Sequence, residues 1–297
     1  MKYVITGSAG NISLPLTEKL LQAGNEVTVI GRDAEKLKEV TTKGALAAVG
    51  SLEDAAFLKE AFKGADAVYL MIPPNFAAAD FRQYQNNVGD NYVEALQANN
   101  VKYAVVLSSI GAHMGNGAGP VDGLGDFEKK LSALTITNIK ILRPSYFMTN
   151  LLGMVGLVKN MHIMGANFGE PGQKLVLVHP KDIADVAAEE LLELKFTGHS
   201  VRYIAGDEKS GEEIAATIGK AIDQPALPWV VFPDDQTLQS FQQMGLPAQF
   251  AQLYATMGKA LREGRMQEDY WKNQPELSPT KLEDFAGEFA AVYNAGQ

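Results

Sequence analysis

The chain has 297 residues, enough for one large domain or a domain with a smaller lobe, and its 46% hydrophobic and 21% charged residues are the balance of a folded globular protein. A net charge of −9 argues against a broad nucleic-acid surface, because phosphate backbones are held by clustered Lys and Arg. The absence of cysteine excludes disulfides, a thiolate nucleophile and a Cys-ligated metal, and no run nears the roughly 18 apolar residues that span a bilayer, so a cytoplasmic protein without membrane or nucleic-acid partners is expected.

The first predicted strand, Tyr3–Ile5, runs into Thr6-Gly7-Ser8-Ala9-Gly10-Asn11-Ile12-Ser13 and then into a helix over Leu14–Ala23 that Gly24 closes. Glycines 7 and 10 allow a tight turn and let the backbone approach a phosphate, while the helix end offers free N–H groups to the anion. A strand, a glycine turn and a helix in this order are what a dinucleotide pyrophosphate requires. Ser13 stands where a third glycine would pack helix against strand, so slightly looser packing is expected there. The opening residues, broken early by Gly7, do not read as a secretory signal.

The second strand, Glu26–Ile30, ends in Gly31-Arg32-Asp33. An acidic residue at this strand tip binds the ribose 2′-hydroxyl of NAD, whereas an arginine accommodates the 2′-phosphate of NADP. Arg32 comes first, with a planar fork suited to phosphate and with Lys36 one turn on; Asp33 is placed to cap a helix over Asp33–Val40. NADP(H) is therefore the expected cofactor, with NAD(H) less favoured.

Strands at Ala45–Val49, Ala67–Ile72, Tyr103–Leu107 and Ile139–Leu142 alternate with helices at Glu53–Phe62 and Ala78–Ala98, which predicts an α/β fold with a doubly wound parallel Rossmann sheet. Six glycines in the fifteen residues Gly111–Gly125 predict a loop beyond the fifth strand, placed to be a lid or pocket wall. The pattern changes near residue 150. Strands are expected at Leu175–Val178 and Val201–Ala205 and an extended segment at Pro225–Pro233. Helices are expected at Asp182–Leu194, Gly211–Ile222, Asp234–Met244, Pro247–Glu263 and Lys281–Tyr293. The expected division is a Rossmann domain over 1–150 and a smaller, mostly helical substrate or lid lobe over 151–297, with some segments returning to the main sheet. Within the lobe, Phe241, Met244, Leu246, Phe250, Leu253, Tyr254 and Met257 read mainly as core, the other reading being a wall of an apolar substrate pocket and a partner surface, and Tyr270 and Trp271 read as an interface or pocket rim.

Further segments join the opening loop and the Gly31-Arg32 pair: Gly50-Ser51-Leu52, Ile72-Pro73-Pro74, Leu107-Ser108-Ser109-Ile110-Gly111-Ala112, Phe127-Glu128, Leu142-Arg143-Pro144-Ser145-Tyr146-Phe147 and Asp182-Ile183-Ala184. Together, over about residues 1–220, they resemble the NmrA-like branch of the short-chain dehydrogenase/reductase superfamily. The resemblance implies a cofactor held at its pyrophosphate by Gly7, Ser8, Ala9, Gly10, Asn11 and Ile12 and at its 2′-phosphate by Arg32. It implies Ser51 and Leu52 beside the adenine, Ile72, Pro73 and Pro74 along the ribose and nicotinamide side, and Ser108 and Ser109 under the nicotinamide. Pro144, Ser145, Tyr146 and Phe147 would surround the carboxamide end. Such proteins usually carry Asp where Ser51 stands, so one carboxylate acceptor is missing at the adenine. The family mixes reductases of quinones, dyes and aromatic compounds with NADP-sensing regulators that catalyse nothing.

The wider superfamily uses a Tyr-x-x-x-Lys pair as proton source, and this chain has no Tyr four residues before Lys129 or Lys130. A quinone tolerates that loss better than a ketone, because its reduced form is stabilised and takes protons from solvent. The candidate catalytic residues that remain are His113 and Tyr146 as acids and Ser109 as a hydrogen-bond donor. His162, His179 and His199 lack metal-ligand spacing, so no metal is expected, and no G-x-S-x-G elbow is present. Two functions follow. One is an NADPH-dependent oxidoreductase acting on a small, planar, quinone-like or aromatic acceptor. The other is a non-catalytic redox sensor acting through a protein partner. A homodimer is the other partnership considered, and an epimerase is disfavoured because it needs the absent tyrosine.

Overall fold

The computed structural model describes residues 1–295; residues 296 and 297, the end of the expected lobe, lie outside the described residues. It divides into two compact units interleaved along the chain. The first comprises Met1–Ser109, Gly123–Arg143 and Ile183–Arg202; the second comprises Ile110–Asp122, Pro144–Asp182 and the chain from Tyr203 onward.

The first unit is the doubly wound sheet. Its strands are β1 (Lys2–Ile5), β2 (Glu26–Gly31), β3 (Leu46–Val49), β4 (Ala67–Leu70), β5 (Tyr103–Leu107), β6 (Asn138–Pro144) and the start of β10 (His199–Ile204). They lie in the order β10-β6-β5-β4-β1-β2-β3, and β3 through β6 pair in parallel. The order reverses between β1 and β4, and ligands of such sheets bind at that reversal. β4 is buried along its whole length, as a strand covered on both faces must be, whereas the edge strand β3 leaves Leu46 and Val49 about half exposed.

Helices α1 (Ser13–Gln22), α2 (Ala34–Thr41), α3 (Ala55–Ala61), α4 (Phe81–Asn99) and α5 (Asp122–Leu131) cover the sheet. Gly123 and Gly125, expected in a loop, are in α5. Packing overrides glycine's poor helix propensity here. A Cβ at Gly123 would collide with Gln85, and one at Gly89 would collide with the Phe127 ring, so the two helices meet only because these residues are small. Arg82 then grips Asp126 through two hydrogen bonds of 2.6 and 2.9 Å.

The second unit holds a three-stranded sheet of β11 (Asp207–Ser210), β9 (Lys174–Val178) and β7 (Tyr146–Phe147), and a two-stranded sheet of β12 (Trp229–Val231) and β8 (Met164–Ala166). Helices α8 (Gly211–Ala221), α10 (Ala248–Arg262), α11 (Glu268–Lys272) and α12 (Leu282–Asn294) pack with them around Leu177, Ile214, Ile218, Phe285 and Phe289, all fully buried. Tyr270 belongs to this core: it is 0% exposed and its hydroxyl donates to Glu208 Oε1 at 2.6 Å, while Trp271 stays on the surface. The glycine-rich stretch after β5 is packed rather than free. Gly119 has φ +64° and sits against the Leu253 carbonyl, and Asp122 accepts the N–H groups of Gly117 and Ala118 at 3.1 and 2.8 Å. Among the described residues, no helix is long and apolar enough to cross a membrane.

Candidate functional site

The site begins where β1 ends. Thr6 is fully buried; its hydroxyl donates to the Tyr69 carbonyl at 3.1 Å and accepts the Met71 N–H at 2.8 Å, locking β1 to β4. The chain then turns through two left-handed residues, Gly7 at φ +102° and Ser8 at φ +55°. The Gly10 N–H closes the turn on the Gly7 carbonyl at 3.2 Å, and the Ser8 N–H reaches the Ile30 carbonyl of β2 at 3.1 Å. Ser13 does not loosen this corner. It is 3% exposed, donates to the Thr6 carbonyl at 2.8 Å, and stands where a Cβ on Gly7 would have to go.

Two features leave this turn open to an anion. Helix α1 starts without a side-chain cap: its Leu14 N–H is taken by the Gly10 carbonyl at 2.9 Å and Pro15 has none, so no side chain sits over the positive end of the dipole. The Ser8 hydroxyl is buried and has no protein partner, a costly arrangement unless a ligand supplies one. A nucleotide pyrophosphate fits both features, and the backbone of Gly7–Ile12 would hold it.

The adenosine end is prepared by the next two loops. Arg32 and Lys36 are both exposed, and neither side chain enters an ion pair among the described residues. Asp33 accepts the N–H groups of Glu35 and Lys36 at 2.9 and 3.4 Å, so the nearest carboxylate is engaged as the α2 cap. Gly50 N–H bonds the Gly31 carbonyl at 3.0 Å and ties the β3 loop to the β2 loop. Ser51 accepts the Glu53 N–H at 3.2 Å, and the carbonyl of buried Leu52 accepts from Asn91 Nδ2 of α4 at 3.0 Å. Beyond β4, Ile72 is buried, Pro73 half-buried and Pro74 exposed.

At the end of β5, Ser108 is 5% exposed and its hydroxyl donates to Glu128 Oε1 at 2.5 Å. Glu128 also takes two hydrogen bonds from Arg143, at 3.1 and 2.6 Å. This buried Ser–Glu–Arg cluster escaped sequence reasoning, although all three residues lay in segments that carried the family resemblance. Removing Glu128 or Arg143 would strand the other's buried charge, typically at a cost of ~3–5 kcal/mol. Ser109 next to it is half-buried.

Helix α5 confirms that the proton-donating pair has no counterpart. Four residues before Lys129 stands buried Gly125, and four before Lys130 stands Asp126. Arg82, by hydrogen bonding, holds the Asp126 carboxyl at a pKa of about 2. Lys130 is itself engaged, by the Asn86 carbonyl at 3.0 Å and Asp90 at 2.6 Å.

The remaining candidates belong to the second unit. His113 lies exposed on a short 3-10 turn, Ala112–Met114, near enough to Glu268 to add to the lowering of its carboxyl pKa that Lys272 mainly causes. Tyr146 is half-buried on β7 with its ring edge-on to Phe168, centroids 5.5 Å apart. Burial first, and the nearby Tyr254 second, push its hydroxyl pKa up, so the group stays protonated. Pro144 is buried and its carbonyl accepts the Ile110 N–H at 2.9 Å; Phe147 is half-buried. Ser145 is 3% exposed with a hydroxyl that has no protein partner.

Comparison with known proteins bears on this geometry. Residues 7–194 match the family described as NAD(P)H-binding. The chain is 25% identical over 258 residues to an NAD(P)H azoreductase from Xenophilus azovorans, covering 85% of this chain and 86% of that one. The structure of an Escherichia coli NADPH-dependent quinone oxidoreductase complexed with NADPH superposes with a TM-score of 0.81 at 19% identity, over 96% of this chain and 99% of that one. A nucleoside-diphosphate-sugar epimerase from Staphylococcus aureus does so with a TM-score of 0.82 at 17% identity, over 97% and 100%. At such identities the two structural likenesses establish the shared fold.

Proposed function

We infer that this chain, which belongs to the NAD(P)H-binding family, is an NADPH-dependent reductase that passes hydride to a small planar acceptor of the quinone or aromatic-dye class. The observation that carries the reading is α5. Epimerisation or carbonyl reduction needs an acid built into that helix, and there Asp126 is clamped by Arg82 and Lys130 by Asp90. An acceptor whose reduced form is already stabilised, and which collects protons from water, needs no such acid. The azoreductase resemblance over most of both chains supports the same class.

When bound, the nicotinamide nucleotide supplies the hydride. The protein holds and orients it. Gly7, Ser8, Ala9, Gly10, Asn11 and Ile12 bind the pyrophosphate, and Arg32 with Lys36 selects the 2′-phosphate. Ser51, Leu52, Ile72, Pro73 and Pro74 line the path from adenine to ribose. Ser108 shapes the nicotinamide side through Glu128 rather than by a free hydroxyl. Pro144, Ser145 and Phe147 serve the carboxamide end, where the unpartnered Ser145 hydroxyl is a ready donor. On the acceptor side, Ser109 and Tyr146 act as hydrogen-bond donors. The reading requires no protein acid, and exposed His113 is the side chain proposed to speed proton delivery beyond what water provides; His113→Asn is then expected to lower turnover at saturating acceptor about ten-fold, and unchanged turnover leaves the protons to water alone.

The deciding experiment is NADPH oxidation by the purified protein against a panel of quinones, azo dyes and triphenylmethane dyes, beside an NADPH-binding titration. Turnover with a panel member supports the reductase. Tight binding without turnover on any of them overturns it in favour of a sensor that reports the NADP(H) state to a protein partner.

A further inference from the structure

Helix α4 carries an inward face that the nucleotide contacts described so far do not use. Two of its residues touch the loops at the carboxyl ends of the strands: Asn91 donates to the Leu52 carbonyl at 3.0 Å, and the Tyr92 hydroxyl donates to the Met71 carbonyl at 2.8 Å. Tyr84 lies two helical turns earlier on the same face. It is 8% exposed, and its ring stacks on Phe81 with centroids 6.1 Å apart. Its hydroxyl makes no hydrogen bond to any described residue. Nor is that oxygen sealed in the core: it is absent from the fully buried unpartnered atoms, which include the hydroxyls of Ser8 and Tyr69.

The surroundings of this hydroxyl identify the ligand chemistry. After burial itself, the groups that act on it are Glu53, on the β3 loop beside Ser51, and then Arg32, at the tip of β2. Burial and Glu53 keep it protonated and outweigh Arg32. A neutral phenol that both donates and accepts, on the helix whose Asn91 holds the Leu52 carbonyl next to Glu53, suits the mixed donors and acceptors of an adenine edge and the ribose 3′-hydroxyl. It suits a dianionic phosphate poorly, since Glu53, its foremost charged neighbour, would repel one.

We propose that Tyr84 is an adenosine-binding residue, its hydroxyl completing from α4 a recognition surface formed by the β2 and β3 loops with Glu53. It recognises the part that NADPH and NADH share, whereas Arg32 separates them. The inference holds whether or not the bound nucleotide is turned over.

The test is a binding titration of wild type and Tyr84→Phe with NADPH, NADH and 2′,5′-ADP, the last presenting the adenosine end without nicotinamide. Loss of one hydrogen bond is expected to weaken all three by about five-fold. Unchanged affinities overturn the proposal, as does a loss confined to NADPH and 2′,5′-ADP, which would move the contact to the 2′-phosphate. Thermal unfolding of the ligand-free variant separates binding from folding. If Tyr84→Phe lowers the melting temperature, Glu53→Gln, whose residue is exposed, is the second variant. It is expected to weaken all three ligands by a similar factor, and unaltered affinity there overturns the proposal.

Discussion

Four helices follow the first four strands of the sheet, and they begin in two ways. Helices α2, α3 and α4 each open with an aspartate, Asp33, Asp54 and Asp80, whose carboxylate accepts N–H groups of the first turn. Helix α1 opens on Ile12 with no side-chain cap and with a buried, unpartnered Ser8 hydroxyl beside it. Each of the three capped ends has at least one orphan donor satisfied by a side chain and a dipole that meets a negative charge. The uncapped end leaves its dipole and the unpartnered Ser8 hydroxyl for an anion. The difference teaches that, among the helices that follow the first four strands, a binding site can be read from the one start that lacks the side-chain cap its neighbours have.

The strongest way to break the comparison is Gly7→Ala. The residue keeps a backbone conformation that L side chains rarely adopt, and the new Cβ meets Ser13 Oγ and Met71. A fall in unfolding free energy of about 3 kcal/mol and loss of NADPH binding are expected, read by urea unfolding and fluorescence titration. Near-normal binding would show that the open turn does not hold the nucleotide. Next comes Arg32→Ala. A charge-assisted contact to phosphate is worth roughly 10- to 100-fold in NADPH affinity, whereas NADH affinity is expected to move less than about two-fold. Equal losses would take the 2′-phosphate away from Arg32. The smallest effect sharpens the capped side. Asp33→Ala is expected to cost about 1 kcal/mol of stability and to leave NADPH affinity no weaker. A cost near zero would make the capped ends no different from the open one.

Much of this was legible in the residues themselves. The strand at Tyr103–Leu107 is found at its expected bounds, and those at 2–5, 26–31 and 46–49 lie within a residue of theirs. Continuous apolar runs have few other places to go than a sheet covered on both faces. The phosphate turn was legible because it is local: strand, glycines and helix are contiguous. The Ser108–Glu128–Arg143 cluster was not, since its members are separated by 20 and 15 residues and no periodicity links them. Tyr84 does not stand out from its neighbours in sequence, because nothing in α4 says which loops its inner face will meet. Tyr270 was misplaced at a rim because its neighbours in sequence are polar, while its partner Glu208 comes from 62 residues away.

By itself, then, the sequence determined what depends on near neighbours: the alternation of strand and helix, the open turn at Gly7–Ile12, the order Arg32 before Asp33, and the missing Tyr-x-x-x-Lys. These are consequences of local backbone preference and of residue types at fixed short spacing. Only the tertiary structure decided which polar groups are spent and which remain free. Ser108 and Asp126 are consumed by distant partners, whereas the hydroxyls of Ser8 and Tyr84 are left over. A side chain's availability depends on every chain segment folded against it, and that is settled by packing and hydrogen-bond satisfaction across the whole sheet rather than by its place in the sequence.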